Sequence, residues 1–204
     1  MMPIYRDHIF PKIYDLLMGM GKLDLRRGQH LAQVSGNVLE VGIGTGRNLP
    51  YYPQDLYSLT GLDNNVGMLK KLAKWQRGEG VALRPVLGRA EKMPFDDDSF
   101  DTVVSTHSLC SMEDRSAALA EIRRVLRPGG RFVFLEHGLS PDPKVAQWQS
   151  RLNGIQKRFA VGCLLNVPVE LEIRQAGFEF LELDQGYQRG ESKTHGYLYE
   201  GVAN

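Results

Sequence analysis

Charge of one sign is what this chain has least of. Its 204 residues carry 25 lysines and arginines against 24 acidic residues, a formal net charge of +1. No field of that kind draws in a polyanion, so nucleic acid is not expected as a partner. Cysteine is scarce too. Cys110 and Cys163 are the two present, far apart in sequence and without the paired spacing of a metal site, which excludes a disulfide framework and leads to an expectation of no metal and a reducing, cytoplasmic setting. Long apolar runs are missing: nothing approaches the ~20 residues a spanning helix needs. The first residues mix Arg6, Asp7 and His8 with apolar ones, unlike a secretory leader. Repeats, low-complexity tracts and linkers are absent, so one domain over residues 1–204 is expected.

What the chain does have is a glycine-rich turn. Val38-Leu39-Glu40-Val41 is an apolar run interrupted by one carboxylate, and Gly42, Gly44 and Gly46 follow at alternate positions. A buried parallel strand ending in a sharp turn into a helix reads this way. Glycine there lets a ligand approach the backbone, and the helix start offers free N–H groups to an anionic group. Arg47 stands where the dinucleotide fingerprint needs a small residue. Asp63, closing the next apolar run, can accept from both hydroxyls of a ribose, although capping the following helix is the plainer alternative. A ribose-bearing ligand without pyrophosphate fits better than a dinucleotide.

Strands expected at 37–42, 57–63, 81–87, 101–106, 131–137, 178–184 and 195–202 alternate with helices near 47–52, 66–77, 114–127, 143–159 and 168–176. That alternation predicts an α/β fold, a Rossmann-like doubly wound sheet of seven strands, mostly parallel with an antiparallel last strand. Arg127-Pro128-Gly129-Gly130 is expected to end the helix before the fifth strand.

Glu40 to Gly46, Gly61-Leu62-Asp63, Ala90-Glu91-Lys92-Met93-Pro94-Phe95, Ser99-Phe100-Asp101 and Glu121 to Gly130 follow one another in an order that resembles the class I S-adenosylmethionine-dependent methyltransferases. The resemblance spans about residues 36 to 137. Within that family the chain is similar to the ubiquinone/menaquinone-type and phospholipid N-methyltransferase-like enzymes. Leu109-Cys110-Ser111, Glu136-His137, Gly162-Cys163 and His195-Gly196-Tyr197 make it similar also to the alkyl thiol methyltransferase branch. The resemblance implies an N-terminal helical lid (1–34), a cofactor-binding core (35–137) and a substrate-side half (138–204).

It also implies S-adenosyl-L-methionine as cofactor, with Gly42, Gly44 and Gly46 bringing backbone N–H groups to its methionine end and Glu40 at its ammonium. Asp63 and Asn64 fall to the ribose and adenosine, Ala90 and Glu91 to the adenine, and Thr106 to the strand edge beside them, while Tyr14 belongs to the lid. Arg89 stands where the family more often has aspartate. His107, Glu136 and His137 lie where cofactor and acceptor meet and are the catalytic candidates. His107 could be a base, an orienter or a structural histidine. Glu136 and His137 could contact the acceptor or hold the strand end. Cys110 reads as a small buried residue. His195 and Tyr197, on one face of the last strand, are weaker candidates.

The expected function is methyl transfer to a small, rather apolar nucleophile: a thiol, a lipid amine or a quinol precursor. The apolar stretch around Trp148, Leu152, Ile155, Phe159, Val161, Leu164 and Leu165 motivates that class. The alternative is a catalytically silent S-adenosylmethionine-binding sensor or partner subunit. Base methylation is disfavoured because Ser105-Thr106-His107-Ser108 replaces the Asn/Asp-Pro-Pro-aromatic motif. A peripheral membrane contact through the N-terminal helix is the sharper reading of its amphipathic pattern, with Arg6, Lys12, Lys22, Arg26 and Arg27 facing headgroups. Packing on the sheet is the plainer one.

Overall fold

The computed structural model describes residues 4–18, 22–75 and 82–204. The strands are β1 Asn37–Val41, β2 Ser58–Asp63, β3 Leu83–Leu87, β4 Phe100–Thr106, β5 Leu126–His137, β6 Phe180–Tyr187 and β7 Tyr197–Ala203. The helices are α1 Phe10–Met18, α2 Lys22–Leu31, α3 Val66–Trp75, α4 Arg115–Val125, α5 Pro143–Phe159 and α6 Val169–Gln175. One sheet runs in the order β3-β2-β1-β4-β5-β7-β6. The first five strands are parallel, and β7 lies antiparallel between β5 and β6. The expected α/β class and antiparallel last strand are both found.

Strand alternation builds two cores. Leu39, Val41, Val103, Phe132 and Phe134 point to one face, where α4 and α6 contribute Leu119, Ile122, Val125 and Ile173. Val38, Leu59, Val104 and Val133 point to the other, against Leu31 and Tyr52. The same alternation puts Glu40 and Thr106 on the α2 side and Ser105 and Glu136 on the α4 side. Because the chain winds outward from β1 to β3 and then crosses to β4, the sheet has its switch point between β1 and β4, where α/β sheets hold ligands.

Local chemistry explains the boundaries. Asn65 caps α3, its Oδ1 accepting from the N–H groups of Gly67 (2.9 Å) and Met68 (3.2 Å). Asp114 caps α4 by accepting from Ala117 at 3.0 Å, and Asp142 with Pro143 opens α5. The helix expected at 47–52 is a single 3₁₀ turn, Leu49–Tyr51. Tyr52 precedes Pro53, which drives it to extended geometry (ψ 141°) and stops the turn. The stop expected at Arg127 to Gly130 also moves: α4 ends at Val125, and those residues enter β5 as an irregularity, with Gly129 at φ 77°. Expected positions 76, 77 and 81 lie outside the described residues.

The N-terminal segment folds over α3. A wide helical turn, Tyr5–Ile9, runs straight into α1. Asn65 Nδ2 donates to the Arg6 carbonyl at 3.0 Å, and Lys71 Nζ to the Pro11 carbonyl at 2.8 Å. Gly67 is pressed so closely under the Asp7 carbonyl that a Cβ would collide with it.

Candidate active site

The glycine turn lies at the carboxyl end of β1, beside the switch point. Gly42, Gly44 and Gly46 have φ of 75°, 58° and 87°, conformations that other residues adopt with difficulty. Their N–H groups are already used. Gly42 donates to Leu62 O (2.8 Å), Gly46 to Ile43 O (3.0 Å) and Gly44 to Asp63 Oδ2 (2.8 Å). These bonds hold the shape of the turn itself. What the turn offers is bare backbone with no Cβ in the way.

Glu40 is 2% exposed and fully partnered. Asn48 Nδ2 donates to its Oε1 at 2.9 Å and the Tyr52 hydroxyl to its Oε2 at 2.8 Å. The same Asn48 nitrogen reaches Thr106 Oγ1 at 2.7 Å, joining β1 to β4. Burial raises the Glu40 pKa to about 7, against the opposing pull of Tyr52, Asn48 and the Arg27 charge. Asp63 does not cap α3, since Asn65 does. Its Oδ2 takes the Gly44 N–H and its Oδ1 the Asn65 N–H, at 2.8 Å each. Burial raises its pKa, and those N–H groups oppose the rise. Each oxygen keeps a further lone pair for a hydroxyl. Asn64 beside it is exposed.

Ala90 is half-buried and packs on the α4-side core. Glu91 accepts from the backbone N–H groups of Glu113 (3.0 Å) and Asp114 (3.4 Å), so its carboxylate supports the loop before α4. Arg89 bridges Glu113 at 2.7 Å. Tyr14 stands over the turn, its Cε1 4.0 Å from where a Cβ on Gly44 would be. Burial raises its phenol pKa to about 12.

On the other side of the switch point, β4 and β5 end in a polar knot. Glu136 has no exposed surface. Its Oε1 accepts from Ser105 Oγ (2.6 Å), Ser108 N (3.0 Å) and Leu109 N (3.3 Å), so the carboxylate holds the turn after β4. His107 sits in that turn at φ 50°. Its ring stacks on His137 with centroids 5.9 Å apart. Burial, with the nearby His137 and Arg27, pushes the His107 pKa well below its ordinary value. His137 goes the other way. Burial lowers its pKa but is outweighed by Cys163, whose Sγ lies 3.3 Å from Nε2, and by the Glu136 charge. The Cys163 thiol is pushed up by Cys110 and by burial. The two cysteines that are distant in sequence thus meet at His137.

His195 is exposed in the turn before β7, its Nδ1 near Ser192 and Thr194 (3.0 and 2.9 Å), which removes it from the predicted strand face. Tyr197 is on that strand, edge to face with Tyr187 and Tyr199. Arg27, expected to face headgroups, is 2% exposed, and its Nε has no partner. Sequence reasoning missed it as a site residue, along with Asn48 and Tyr52. A carboxylate inside an apolar strand demands donors nearby, and that signal could have found the last two. Arg26 pairs with Glu200 at 2.8 Å and Arg6 with Asp7 at 2.6 Å, while the side chain of Lys22 lies outside those described.

Among the described residues, Arg27 Nε, Asn48 Oδ1, His107 Nε2 and Glu136 Oε2 are buried polar atoms without a partner. Unmet donors and acceptors beside a bare glycine turn suit a ligand bearing both an ammonium and a carboxylate. Residues 39–134 match the methyltransferase domain family. This is a class I S-adenosylmethionine-dependent methyltransferase domain. The chain is 36% identical over 162 residues to the Homo sapiens thiol S-methyltransferase TMT1B, covering 76% of this chain and 66% of that one. It is 39% identical over 117 residues to the phthiotriol/phenolphthiotriol dimycocerosates methyltransferase of Mycobacterium tuberculosis, covering 56% of this chain. The chain spans only 42% of the length of that mycobacterial relative. Among solved structures, the complex between the Haloferax volcanii Trm112 methyltransferase activator and a methyltransferase matches with a TM-score of 0.74 at 19% identity, over 98% of this chain and 96% of that one. That last likeness is one of fold. The cofactor of the class is S-adenosyl-L-methionine, and the donor set fits it.

Proposed function

We propose that this methyltransferase transfers the methyl group of S-adenosylmethionine to a small, apolar thiol. The cofactor supplies an electrophilic methyl carbon on a sulfonium; the chain's residues bind, orient and exclude water. Glu40 and Asn48 Oδ1 are suited to the ammonium, Arg27 to the carboxylate, and Asp63 to the ribose diol. Ala90 and Glu91 border the adenine side, and Tyr14 covers the turn.

The observation that carries the thiol reading is that the titratable side chains at the reacting edge are engaged inside the protein, His137 being buried with its Nε2 3.3 Å from Cys163 Sγ. His107 is held neutral with a depressed pKa, which makes it a poor proton acceptor. Glu136 is sealed and committed to the turn. An amine or phenol would need help to deprotonate, whereas a thiol ionises near neutral pH by itself. The thiol acceptor named for the Homo sapiens relative points the same way, and the mycobacterial relatives make a lipid acceptor the second reading. Incubation with labelled cofactor and a panel of alkyl thiols, phosphatidylethanolamine and phenolic quinols tests both. Transfer to thiols alone is expected. Transfer only to a lipid or quinol would replace the acceptor, and cofactor binding without any transfer would favour a silent sensor.

Contact with a membrane surface belongs to the same reading, but through α5 more than through the N-terminal basic residues. Trp148, Ile155 and Phe159 are 53%, 62% and 62% exposed along one side of α5, and Ile4, Ile9 and Ile13 are exposed nearby on the N-terminal segment. The Tyr5 hydroxyl donates to the Phe159 carbonyl at 2.7 Å and joins the two. No described helix is long and apolar enough to cross a membrane.

A further inference from the structure

We propose that Cys110, His137 and Cys163 form a binding site for a thiophilic divalent cation, zinc by the chemistry of the donor set, with a fourth position left for a ligand from outside the chain. The three residues come from separate places: the 3₁₀ turn Leu109–Ser111, the end of β5, and the loop after α5. Their donor atoms nevertheless all lie within 4.8 Å of one another. Tetrahedral zinc with sulfur and imidazole ligands sets neighbouring donor atoms about 3.5–3.8 Å apart. His137 Nε2 and Cys163 Sγ are already 3.3 Å apart, and the widest separation needs a contraction of at most about 1 Å.

The surroundings hold the donors in place. The Leu164 N–H donates to the Cys110 carbonyl at 2.9 Å, tying one cysteine's loop to the other's turn. Both cysteines are free thiols, 2% and 8% exposed. Gln156 Nε2 donates to Cys163 Sγ at 3.7 Å, an outer contact of the kind that supports a metal-bound sulfur. The His107 ring stacks on His137 and fixes its plane, while the buried His107 Nε2 stays unpartnered.

Binding releases one proton from each thiol to solvent. Two thiolates and one neutral imidazole then hold the divalent ion in a centre with no net charge. Three protein ligands on zinc is the pattern that leaves a position open. An acceptor thiol entering that position loses its proton in the same way and is held as a thiolate, and this second half rests on the thiol reading above.

The test uses the full chain, stripped with a chelator and reloaded with zinc or with cobalt. One zinc per chain is expected, with a thiolate-to-cobalt charge-transfer absorption that disappears in Cys110→Ser and Cys163→Ser and weakens in His137→Gln. Far-ultraviolet circular dichroism of each variant separates lost ligands from lost fold. An alkyl thiol added to the cobalt form shifts its visible bands. Wild-type chain that retains less than a tenth of an equivalent of zinc overturns the site, as does equal zinc in a folded Cys110→Ser/Cys163→Ser chain, or a thiol count showing the two cysteines joined. Unshifted cobalt bands, or equal thiol methylation by the stripped chain, overturn the open position. Methyl transfer is assayed separately, so zinc bound without any transfer refutes the thiol reading and leaves the metal site standing.

Discussion

Tyr52 donates its phenol hydrogen to Glu40 across 2.8 Å, and at 3% and 2% exposure neither residue meets water. This contact explains how a carboxylate survives in the middle of an apolar strand, and it makes the unligated protein sensitive to pH. Burial lifts the Glu40 pKa from an ordinary 4.5 to about 7. The folded chain therefore holds the proton more tightly than the unfolded one. Its contribution to stability is full below the unfolded value and is lost as pH rises through about 7. Thermal melts of the unligated protein should fall between about pH 5 and pH 8, and Glu40→Gln should flatten that decline. Equal slopes in the two proteins would remove Glu40 as the cause. A cationic ammonium binding beside Glu40 should also release its proton, making the calorimetric enthalpy depend on the buffer's ionisation heat.

Asp63 bridges the glycine turn and the start of α3 through the N–H groups of Gly44 and Asn65, at 2.8 Å each. Asp63→Asn keeps the shape but replaces one acceptor by a donor that faces a donor. Loss of a charged acceptor costs about 1.5–3 kcal/mol, so cofactor affinity should fall roughly tenfold to a hundredfold. Calorimetric titration with S-adenosylhomocysteine reads this directly. Affinity within a factor of two of wild type would place the ribose elsewhere.

Gly67 tests the lid. The Asp7 carbonyl occupies the space a Cβ would need, so Gly67→Ala should lift the N-terminal segment from α3. Alanine is favoured over glycine in a helix by about 1 kcal/mol, which means the core should melt no earlier. Cofactor affinity should drop, and limited proteolysis should cut within the first 18 residues. A variant that binds the cofactor normally, with the N-terminus as protected as before, would refute a lid role for the segment.

Much of the frame was legible because it follows from periodicity. The apolar run from Val38 to Val41 announced a buried parallel strand, and the alternation of such runs with helical stretches announced the doubly wound sheet. The site was legible only where a turn requires glycine. Arg27 read as a surface base because no pattern in a basic, amphipathic stretch reveals which arginine turns inward. Glu136 stayed open between acceptor contact and holding the strand end because only its position at the end of β5 was visible, while the Ser105 and Ser108 donors that claim it come from β4 and the turn after it. Cys110 and Cys163 lie 53 positions apart, and only the fold brings them to His137. Long-range meetings of this kind leave no local spacing to read.

The exposed side of α5 leads to the last prediction. Trp148, Ile155 and Phe159 share it, and α5 carries Lys144, Arg151, Lys157 and Arg158 with no acidic residue between Pro143 and Phe159. Arg151 lies over the Trp148 ring, 5.2 Å from its centroid, so cation and aromatic ring present together. An apolar stripe flanked only by positive charge suits an anionic lipid surface, where each nearby base contributes about 1 kcal/mol. The chain should co-sediment with vesicles containing phosphatidylserine and far less with purely zwitterionic ones, and added salt should weaken the binding. The triple variant Trp148→Ser/Ile155→Ser/Phe159→Ser removes side chains that are more than half exposed, so it should stay folded by circular dichroism while losing the vesicles. Binding that survives all three substitutions would assign the membrane contact to another surface. Binding absent from the wild type would leave the stripe to contacts with protein rather than lipid.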